Sequence, residues 1–374
     1  MINYVEIRDR TRAAVGIIDN AKSIIWKSIY YGVGEFEIYV AATAKTIELL
    51  KEDYYVTRPD NSEIGIIEHV NVTYSAQNGR MIVASGRLAK SILDRRHIYK
   101  LNGNSNSATI LYGEVETEVR EVVTNNAIAC PFDSNRNIAE LELGTLKGYT
   151  ERIVDSNGNS ARKQTTYENL LTYTDELLQE YALGSKVVIN KETKKLQYEV
   201  IKGIDRTVGN STGNAPLIFS EDYDNLSNTN YDYDKTALKN TALIGGEGEG
   251  TSRFYSLIVP NETGIDRRET FIDASSISKR YTENEVEQTY SDTDYNEMLN
   301  TKGKQELAAL SIIETFDGTI ELINSGLEYG VDFGLGDLVT IQDNKINKYL
   351  NVRILAVSEV QDDNGYMVEL EYGS

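Results

Sequence analysis

The segment Y-G-V-D-F-G-L-G-D-L-V-T-I, residues 329–341, constrains the fold more than any other part of this sequence. Gly334 and Gly336 flank Leu335, so the backbone can turn sharply there at little steric cost. Asp337 has a short acidic side chain that can accept hydrogen bonds from nearby backbone N–H groups, as in many turns. The segment therefore predicts a tight corner that leads into a strand, and it contains no catalytic signature.

Three strand patterns follow this corner. The first begins at Leu338, the second covers residues 350–357, and the third covers residues 366–372 after the turn sequence Asn364-Gly365. A corner that feeds a three-stranded meander predicts the closing seam of a β-barrel. The residues that form the structural signature of this seam are Tyr329, Asp332, Gly334, Gly336 and Asp337. We expect Gly336→Val to prevent soluble assembly, because a β-branched residue fits poorly at a corner with positive φ.

The charge balance limits the partners of the chain. It carries 58 acidic and 38 basic residues, for a formal charge of −20. Tight binding to nucleic-acid phosphates requires clustered lysine and arginine, so sequence-specific nucleic-acid binding is not expected. An acidic conduit would still let DNA slide without adhering.

Cys130 is the single cysteine, which excludes an internal disulfide. No apolar run reaches the ~18 residues of a membrane helix, so membrane insertion by this chain is not expected.

Residues 1–105 read as a series of short strands. Phe36, Ile38 and Val40 alternate strictly with polar neighbours, which is typical of a half-buried strand. Asn78-Gly79 is the strongest short hairpin signal in the chain. About six such strands with intervening turns predict a barrel or sandwich, since closing a sheet removes its exposed edges.

Residues 106–205 have a different pattern. Apolar residues recur at helical spacing over residues 108–126 and again over residues 166–183. Thr165 or Thr166 is the predicted cap of the second helix. A hairpin pattern follows, so this region is interpreted as a small α/β domain inserted into a β chain.

The second half repeats the alternation of β unit and insertion. Strand patterns in residues 206–262 and 314–374 predict a second, split β unit, and residues 263–313 predict an insertion with a long helix that begins at Asp292. The Asp317-Gly318 dipeptide predicts a hairpin turn in the region 315–322.

Four segments in this order carry a resemblance to a known family. They are F-S-E-D-Y-D-N-L (219–226), N-T-A-L-I-G-G-E-G-E-G followed by Arg253 (240–253), the corner at 329–341, and S-G-R-L-A-K-S-I-L-D-R-R (85–96). With the layout of β units and insertions, the chain resembles the tail-associated baseplate hub proteins of phages with siphovirus-type tails. It is also similar to the trimeric hub proteins of contractile tails.

The resemblance implies a fold class: α+β, mainly β, with two antiparallel β-barrel tube domains and two smaller inserted α/β domains. The first tube domain would span residues 1–105, with the first insertion at 106–205. The second tube domain would combine residues 206–262 and 314–374, with the second insertion at 263–313.

The resemblance also implies a function without catalysis and without a cofactor. Three copies would form a pseudo-sixfold ring around the DNA channel at the virion tail tip, after synthesis in the host cytoplasm. The implied partners are two further copies, the distal tail protein ring, the tape-measure protein, and spike or fibre proteins of the tip.

The glycine-rich segment G-E-G-E-G is interpreted as a tight structural loop formed by Gly246, Gly248 and Gly250, together with Arg253. A phosphate-binding loop needs a helix after it, whose N-terminus contacts the anion. Here a strand pattern follows instead, and the two glutamates of the segment would repel phosphate.

No metal site is predicted. Residues 155–166 begin like a calcium loop but lack the glycine at position six and the glutamate at position twelve, so a polar turn around Asn157-Gly158 is favoured. The acidic pairs are interpreted as solvated loops, with a metal at a subunit contact as the alternative: Asp232 with Asp234, and Asp292 with Asp294.

Two further functions stay open. A cell-wall or polysaccharide hydrolase needs only two carboxylates at the right separation, and the chain has many. A carbohydrate-binding adhesion module is the other. Nothing in the sequence brings His69 or His97 next to Cys130, so nucleophilic catalysis is not expected.

The predicted interface residues are three tyrosines in one acidic stretch, because tyrosine is favoured at interfaces: Tyr223, Tyr231 and Tyr233.

Overall fold

A computed structural model describes residues 2–77, 79–102, 105–154, 158–259, 262–283, 286–320 and 326–373. The fold is α+β and mainly β, in agreement with the sequence-based prediction. Among the described residues, no helix is both long enough and apolar enough to cross a membrane.

The described residues up to position 165 contain thirteen short strands and two α-helices. The strands are β1 (Val5–Arg8), β2 (Ala14–Ile18), β3 (Ser23–Ile29), β4 (Glu35–Ala41), β5 (Tyr55–Thr57), β6 (Ile64–Ile66), β7 (His69–Ser75), β8 (Gly79–Arg87), β9 (Lys100–Asn102), β10 (Ser105–Ser107), β11 (Thr109–Leu111), β12 (Leu141–Leu143) and β13 (Lys163–Thr165). The helices are α1 (Ala44–Leu49) and α2 (Val115–Val123), and a 3₁₀ helix covers Ala89–Arg95.

The described residues from position 170 onwards add helices α3 (Leu170–Glu180) and α4 (Asp292–Ala309). The strands of this part are β14 (Gly184–Ile189), β15 (Leu196–Ile201), β16 (Ile218–Ser220), β17 (Ser227–Asp234), β18 (Thr241–Gly245), β19 (Tyr255–Ile258), β20 (Glu269–Asp273), β21 (Arg280–Glu283), β22 (Val286–Thr289), β23 (Ile313–Ile320), β24 (Leu338–Asp343), β25 (Lys348–Asp362) and β26 (Gly365–Gly373).

A ten-stranded sheet joins the two ends of the chain. Its main path runs β17-β23-β26-β25-β3-β4-β8-β7, and β16 and β24 attach beside β25. The meander expected after the corner is present, since β24 pairs with β25, and β25 pairs with β26 across the turn that joins Asp362 to Gly365. The sequence did not indicate the pairing of β3 with β25, which connects the two β units edge to edge.

A four-stranded sheet, β2-β1-β5-β6, covers one face of the β3-β4-β8 region. Val5 and Ile7 from this sheet and Trp26, Phe36 and Ile38 from the large sheet share one buried core. The alternation predicted for β4 is confirmed, because Phe36 and Ile38 are buried while Glu35 and Glu37 are exposed.

The first insertion has its own apolar core. Val119 and Val122 of α2 and Leu177 of α3 pack with strands β12, β14 and β15, which form a three-stranded sheet. Ile64 of β6 and Ile92 of the 3₁₀ helix belong to the same core. The insertion is therefore packed against the first β unit and is not a separate appendage.

Strands β18 and β19 pack with the region that the sequence predicted as the second insertion. Strands β18 and β19 were assigned by sequence to the split β unit, but they pair with each other, and β18 pairs in parallel with β20. Ala242 and Ile244 of β18 pack against Met298 and Leu299 of α4. The strand patterns were correct, but a helix fifty residues later decides which core they join.

Two local predictions are wrong. Thr165 and Thr166 do not cap α3, because the cap is Asn169, whose side chain accepts hydrogen bonds from the N–H groups of Leu171 and Thr172 at 3.0 and 3.2 Å. The Asp317-Gly318 dipeptide lies inside the continuous strand β23 and is not a turn. The glycine is needed there for close packing, since a Cβ would lie 2.6 Å from the Leu226 side chain.

The described strand pairs give an open path with β7 and β17 at its two ends. They do not by themselves close two separate barrels, so the arrangement of two tube domains and its boundaries stays a proposal, taken up below. The predicted turn around Asn157-Gly158 involves residues outside the described part of the chain.

We predict that Asn169→Ala lowers the free energy of unfolding by about 1 kcal/mol, since an N-cap side chain typically contributes that amount. Urea denaturation monitored by circular dichroism measures the change. Thr172→Ala in the first turn of the same helix is the matched control, and it should leave stability within a few tenths of a kcal/mol of wild type. Equal losses for both variants would contradict the capping role of Asn169.

Candidate functional site

Asp337 fixes the corner that the sequence singled out. Its side chain is 4% exposed, and one carboxylate oxygen accepts a hydrogen bond from the N–H of Ile204 at 2.7 Å. The other oxygen accepts from the N–H of Gly334 at 2.9 Å and from Nε of Arg206 at 3.0 Å. A buried carboxylate with three donors is fully satisfied, so its role is to join the corner to the segment that leaves the first insertion.

Tyr30, at the end of β3, lies at the centre of this junction and is fully buried. Gly336 has φ of +88°, and a Cβ there would lie 2.3 Å from the Tyr30 ring. A Cβ on Gly184, at the start of β14, would lie 2.6 Å from the same ring. Because both positions are glycine, two backbone segments can closely approach the same aromatic ring.

The hydroxyl group of Tyr30 is also satisfied. It accepts a hydrogen bond from the N–H of Gly203 at 3.1 Å, and the carbonyl oxygens of Ala182 and Ile201 lie at 3.2 and 3.3 Å. Burial raises the pKa of this phenol to about 12, so it stays protonated and can donate to one of these carbonyls. The first β unit, the first insertion and the closing seam therefore meet at one side chain.

A cavity of about 950 Å³ lies beside the junction. Its wall includes Tyr329 of the signature segment, Tyr366 and the buried carboxylate of Glu359. Arg58 donates two hydrogen bonds to Glu359, at 2.8 and 2.7 Å, and the Tyr366 hydroxyl donates a third at 2.7 Å. Glu359 lies opposite Trp26 on the core face of the sheet, where such a charge is tolerated only because it is paired.

Glu63 is the second interior carboxylate of this cavity. It accepts a hydrogen bond from the hydroxyl of Ser28, which is 1% exposed. Burial raises the pKa of the Glu63 carboxyl above its ordinary value of 4.5, against the opposing effects of Ser28 and the cationic Lys186. Burial likewise raises the pKa of the Tyr329 phenol.

The G-E-G-E-G segment forms a closed loop before β19. Gly248 has φ of +103°, and Gly250 has φ of +54°. Arg253 donates hydrogen bonds to the carbonyls of Gly246 at 3.0 Å and of Gly245 at 2.9 Å. The N–H of Gly246 already donates to the carbonyl oxygen of Phe254 at 2.8 Å, and that of Glu247 to the hydroxyl of Tyr295 at 2.7 Å. Because these donors are occupied and a strand follows the loop, the geometry differs from that of a phosphate-binding loop.

Two groups of residues predicted from the sequence remain: Asp332 of the corner segment, and the three tyrosines predicted to lie at an interface. Asp332 accepts a hydrogen bond from the N–H of Glu328 at 2.7 Å and stabilises the turn before the corner. Tyr223 and Tyr233 are exposed by 57% and 46%. Tyr231 donates to Glu314 at 2.7 Å, and Lys348 Nζ lies 4.7 Å from the centre of its ring.

One face of the large sheet carries a polar row across both β units, beside apolar residues such as Ile25 and Val360. A single row of directly opposite residues crosses five strands: Arg87, Glu35, Lys27, Ser358 and Glu369. Glu37 and Glu371 are further exposed carboxylates on this face. Sequence reasoning found the alternation in β4 but missed this continuous surface, since no local pattern reveals that β3 pairs with β25.

His69 and His97 are exposed, and the structure does not form a Cys–His pair from the described residues. Cys130 is buried, and its sulfur lies 3.6 Å from a guanidinium nitrogen of Arg136. Within the described ranges, no group of three or more histidine, cysteine or carboxylate side chains could hold a metal ion.

The whole described chain matches a known family. Residues 4–374 match the family model described as "Siphovirus ReqiPepy6 Gp37-like protein". The chain belongs to this family of phage tail proteins. No curated protein sequence matches it.

Solved tail proteins share the fold over their full length. A tail protein from Neisseria meningitidis MC58 has a TM-score of 0.56 at 12% identity, with 100% of this chain and 97% of the other covered. The 43 kDa tail protein of prophage MuSo2 from Shewanella oneidensis has a TM-score of 0.56 at 14% identity, with coverage of 99% and 98%. Prophage tail protein gp18 from Listeria monocytogenes EGD-e has a TM-score of 0.51 at 13% identity, with coverage of 99% and 94%. The predicted membership of a phage tail family is confirmed.

We predict that Gly336→Ala lowers the free energy of unfolding by more than about 2 kcal/mol, because the new methyl group adds backbone strain at positive φ and overlaps Tyr30. Gly334→Ala is the matched control. Gly334 does not have a positive φ, and the nearest atom to its added Cβ would be 3.9 Å away. Denaturant titration of both variants measures the difference in their free energies of unfolding. A loss at Gly336→Ala no larger than that at Gly334→Ala would contradict the close packing of Gly336 against the Tyr30 ring.

We predict that Glu63→Gln changes the pH dependence of stability. The folded-state pKa of Glu63 is raised, so its contribution to stability is full below about pH 4.5 and is lost as the pH rises through the folded-state value. The stability of wild type relative to Glu63→Gln should therefore decrease as the pH rises from 4.5 to 8. Urea unfolding at five pH values measures this trend, and a constant difference would be inconsistent with a buried Glu63 carboxyl.

Proposed function

We propose that this tail protein is a baseplate hub that forms a homotrimeric, pseudo-sixfold ring around the DNA channel at the tail tip. Its family membership and its full-length similarity in fold to solved tail proteins support a structural role in the virion tail. The proposal of a trimeric ring rests on the eight-strand path of the large sheet and on the two strands at its ends.

The path β17-β23-β26-β25-β3-β4-β8-β7 takes four strands from each of the two β units. Among the pairs formed by described residues, β17 pairs only with β23, and β7 pairs only with β8. Sheet edges with unpaired backbone groups favour pairing with another strand. If β17 of one copy joins β7 of the next, a head-to-tail contact results, and such contacts generate closed rings when the rotation closes.

Three copies with eight strands each would give a wall of 24 strands. In this arrangement the two β units of each chain are the two tube domains, with the first insertion at 106–205 and the second around α4. The structure supports a second insertion that includes β18 and β19 in addition to residues 263–313, because these strands pack on α4.

We propose that the polar face of the sheet lines the channel. Glu35, Glu37, Glu369 and Glu371 would then give the wall a negative charge, which Lys27 reduces through its ion pair with Glu371 at 2.7 Å. A negatively charged wall repels DNA phosphates, so DNA would pass without adhering. On the opposite face of the sheet, apolar cores cover the central strands.

A hub at the tail tip would have partners on both rims of the ring and in the channel. The distal tail protein ring would contact one rim, and the tape-measure protein and the tip spike or fibre proteins would contact the channel and the other rim. The outer face of the β19-β18-β20 sheet is a further contact surface in this proposal, since Leu243, Leu257 and Phe271 are about half exposed there and Leu243 lies directly opposite both of the others.

The structure offers less support for a hydrolase. Glu63 and Glu359 line one cavity, but both oxygens of Glu359 accept hydrogen bonds from Arg58, and Tyr366 donates another. A carboxylate neutralised in this way is a poor nucleophile or base. No feature of the described residues favours a carbohydrate-binding module over a hub.

We predict a trimer of about 126 kDa, three times the chain mass of 41.9 kDa, by light scattering after size-exclusion chromatography. The double variant Asn71→Glu/Thr73→Glu on β7 should weaken it, because the new carboxylates would face the acidic strand β17 of the next copy. The matched variant Asn71→Lys/Thr73→Lys, with opposite charge at the same sites, should preserve it. A wild-type monomer, or equal effects of both charges, would contradict pairing between β7 and β17.

A further inference from the structure

A second cleft, of about 410 Å³, opens between the first β unit and the first insertion. Three arginines line it, Arg10, Arg95 and Arg96. Its apolar lining includes Ile66, Ile92 and Leu196, which are at most 5% exposed. The cleft therefore combines a cationic rim with an apolar floor, in a protein whose formal charge is −20.

Arg96 has no carboxylate partner within 4.0 Å among the described residues. Its guanidinium donates to the carbonyl oxygens of Arg136 at 2.8 Å and of Arg95 at 2.9 Å. These neutral acceptors orient the group without neutralising it. Burial lowers the pKa of Arg96, and the nearby positive charges of Arg136 and Arg95 lower it further.

Arg95 is only weakly neutralised. Its nearest carboxylate is Glu68 at 4.0 Å, and Glu68 is already held by Arg87 at 2.9 Å. Arg10, by contrast, forms an ion pair with Asp53 at the edge of the cleft. Arg95 and Arg96, which are neighbours in sequence and both line the cleft, thus keep guanidinium groups that are available for an anion beside apolar residues.

We propose that this cleft binds an acidic peptide segment of a partner protein, with a carboxylate on Arg95 and Arg96 and a neighbouring aromatic or aliphatic side chain on the apolar floor. Arginine suits this role because its planar fork binds carboxylates through two parallel hydrogen bonds. The cleft volume is within the ~300–1,000 Å³ typical of binding sites, enough for one large side chain and an acidic neighbour.

The surroundings favour a peptide over a nucleic acid. Asp53 and Glu140 also line the cleft, so a chain with a charge at every phosphate would meet repulsion on both sides of the arginines. A peptide can place one carboxylate on the guanidinium groups and an uncharged side chain beside the acidic residues. This site does not depend on the trimer proposed above, since all its residues belong to one chain.

The test uses the full-length protein and a synthetic Gly-Asp-Tyr-Asp-Gly peptide with an N-terminal rhodamine dye. Fluorescence anisotropy should show saturable binding that weakens as salt is added, because exposed charges are screened. Arg96→Gln and Arg95→Gln should each weaken binding about tenfold, and Glu140→Gln should strengthen it, since it removes a competing carboxylate. Arg280→Gln, in an exposed hairpin outside the cleft, is the matched control and should bind like wild type.

Arg95→Gln protects the test against misfolding, because the Arg95 side chain is half exposed and makes only the long contact with Glu68. Thermal unfolding of each variant verifies that it is folded. The proposal is overturned if wild type does not bind the peptide, or if Gly-Asn-Tyr-Asn-Gly binds equally well. It is also overturned if Arg95→Gln and Arg96→Gln bind like wild type, or if a single-stranded oligodeoxynucleotide displaces the peptide from these arginines.

Discussion

The packing of Tyr30 against glycine backbone is the constraint on which the rest of the structure depends. The ring occupies the space that Gly184 and Gly336 leave open, and its hydroxyl bonds the N–H of Gly203. A Cβ on Gly203 would in turn lie 1.7 Å from the carbonyl oxygen of Gly336, so these two backbones are in direct contact. Three parts of the chain that are far apart in sequence are thereby held in one geometry.

This junction positions the pairing of β3 with β25, which begins next to Tyr30. The pairing makes one surface from the two ends of the chain, with a polar row on one face and apolar cores on the other. It also places Glu359 opposite Trp26, at a core position where a charge is costly. Arg58 offsets that cost with two hydrogen bonds, and its guanidinium lies 5.5 Å from the Trp26 ring.

Much of the local structure was predictable from short-range rules. The strict alternation in β4, the turn at Asn364-Gly365 and the positive φ of Gly336 each depend on a few neighbouring residues. Two local predictions were wrong, for different reasons. Gly318 looked like a turn residue, but tertiary packing against Leu226 explains it, and Asn169 replaced the threonines as the cap of α3 because the chain enters that helix later than expected.

The cleft lined by Arg95 and Arg96 could not be found in the sequence, where these residues read only as part of a short basic run. It exists because the 3₁₀ helix of the first β unit faces residues of the insertion more than forty positions away. Charge on a side chain is a property of the sequence, whereas neutralisation depends on which carboxylates lie within reach.

The sequence by itself determined the mainly β class, the positions of most strands and the special backbone of the corner, because alternation, turn residues and glycine act over a few residues. The tertiary structure alone decided which strands pair, which core β18 and β19 join, and which charges remain unpaired. Those properties depend on contacts between residues separated by tens to hundreds of positions, and no local pattern encodes them.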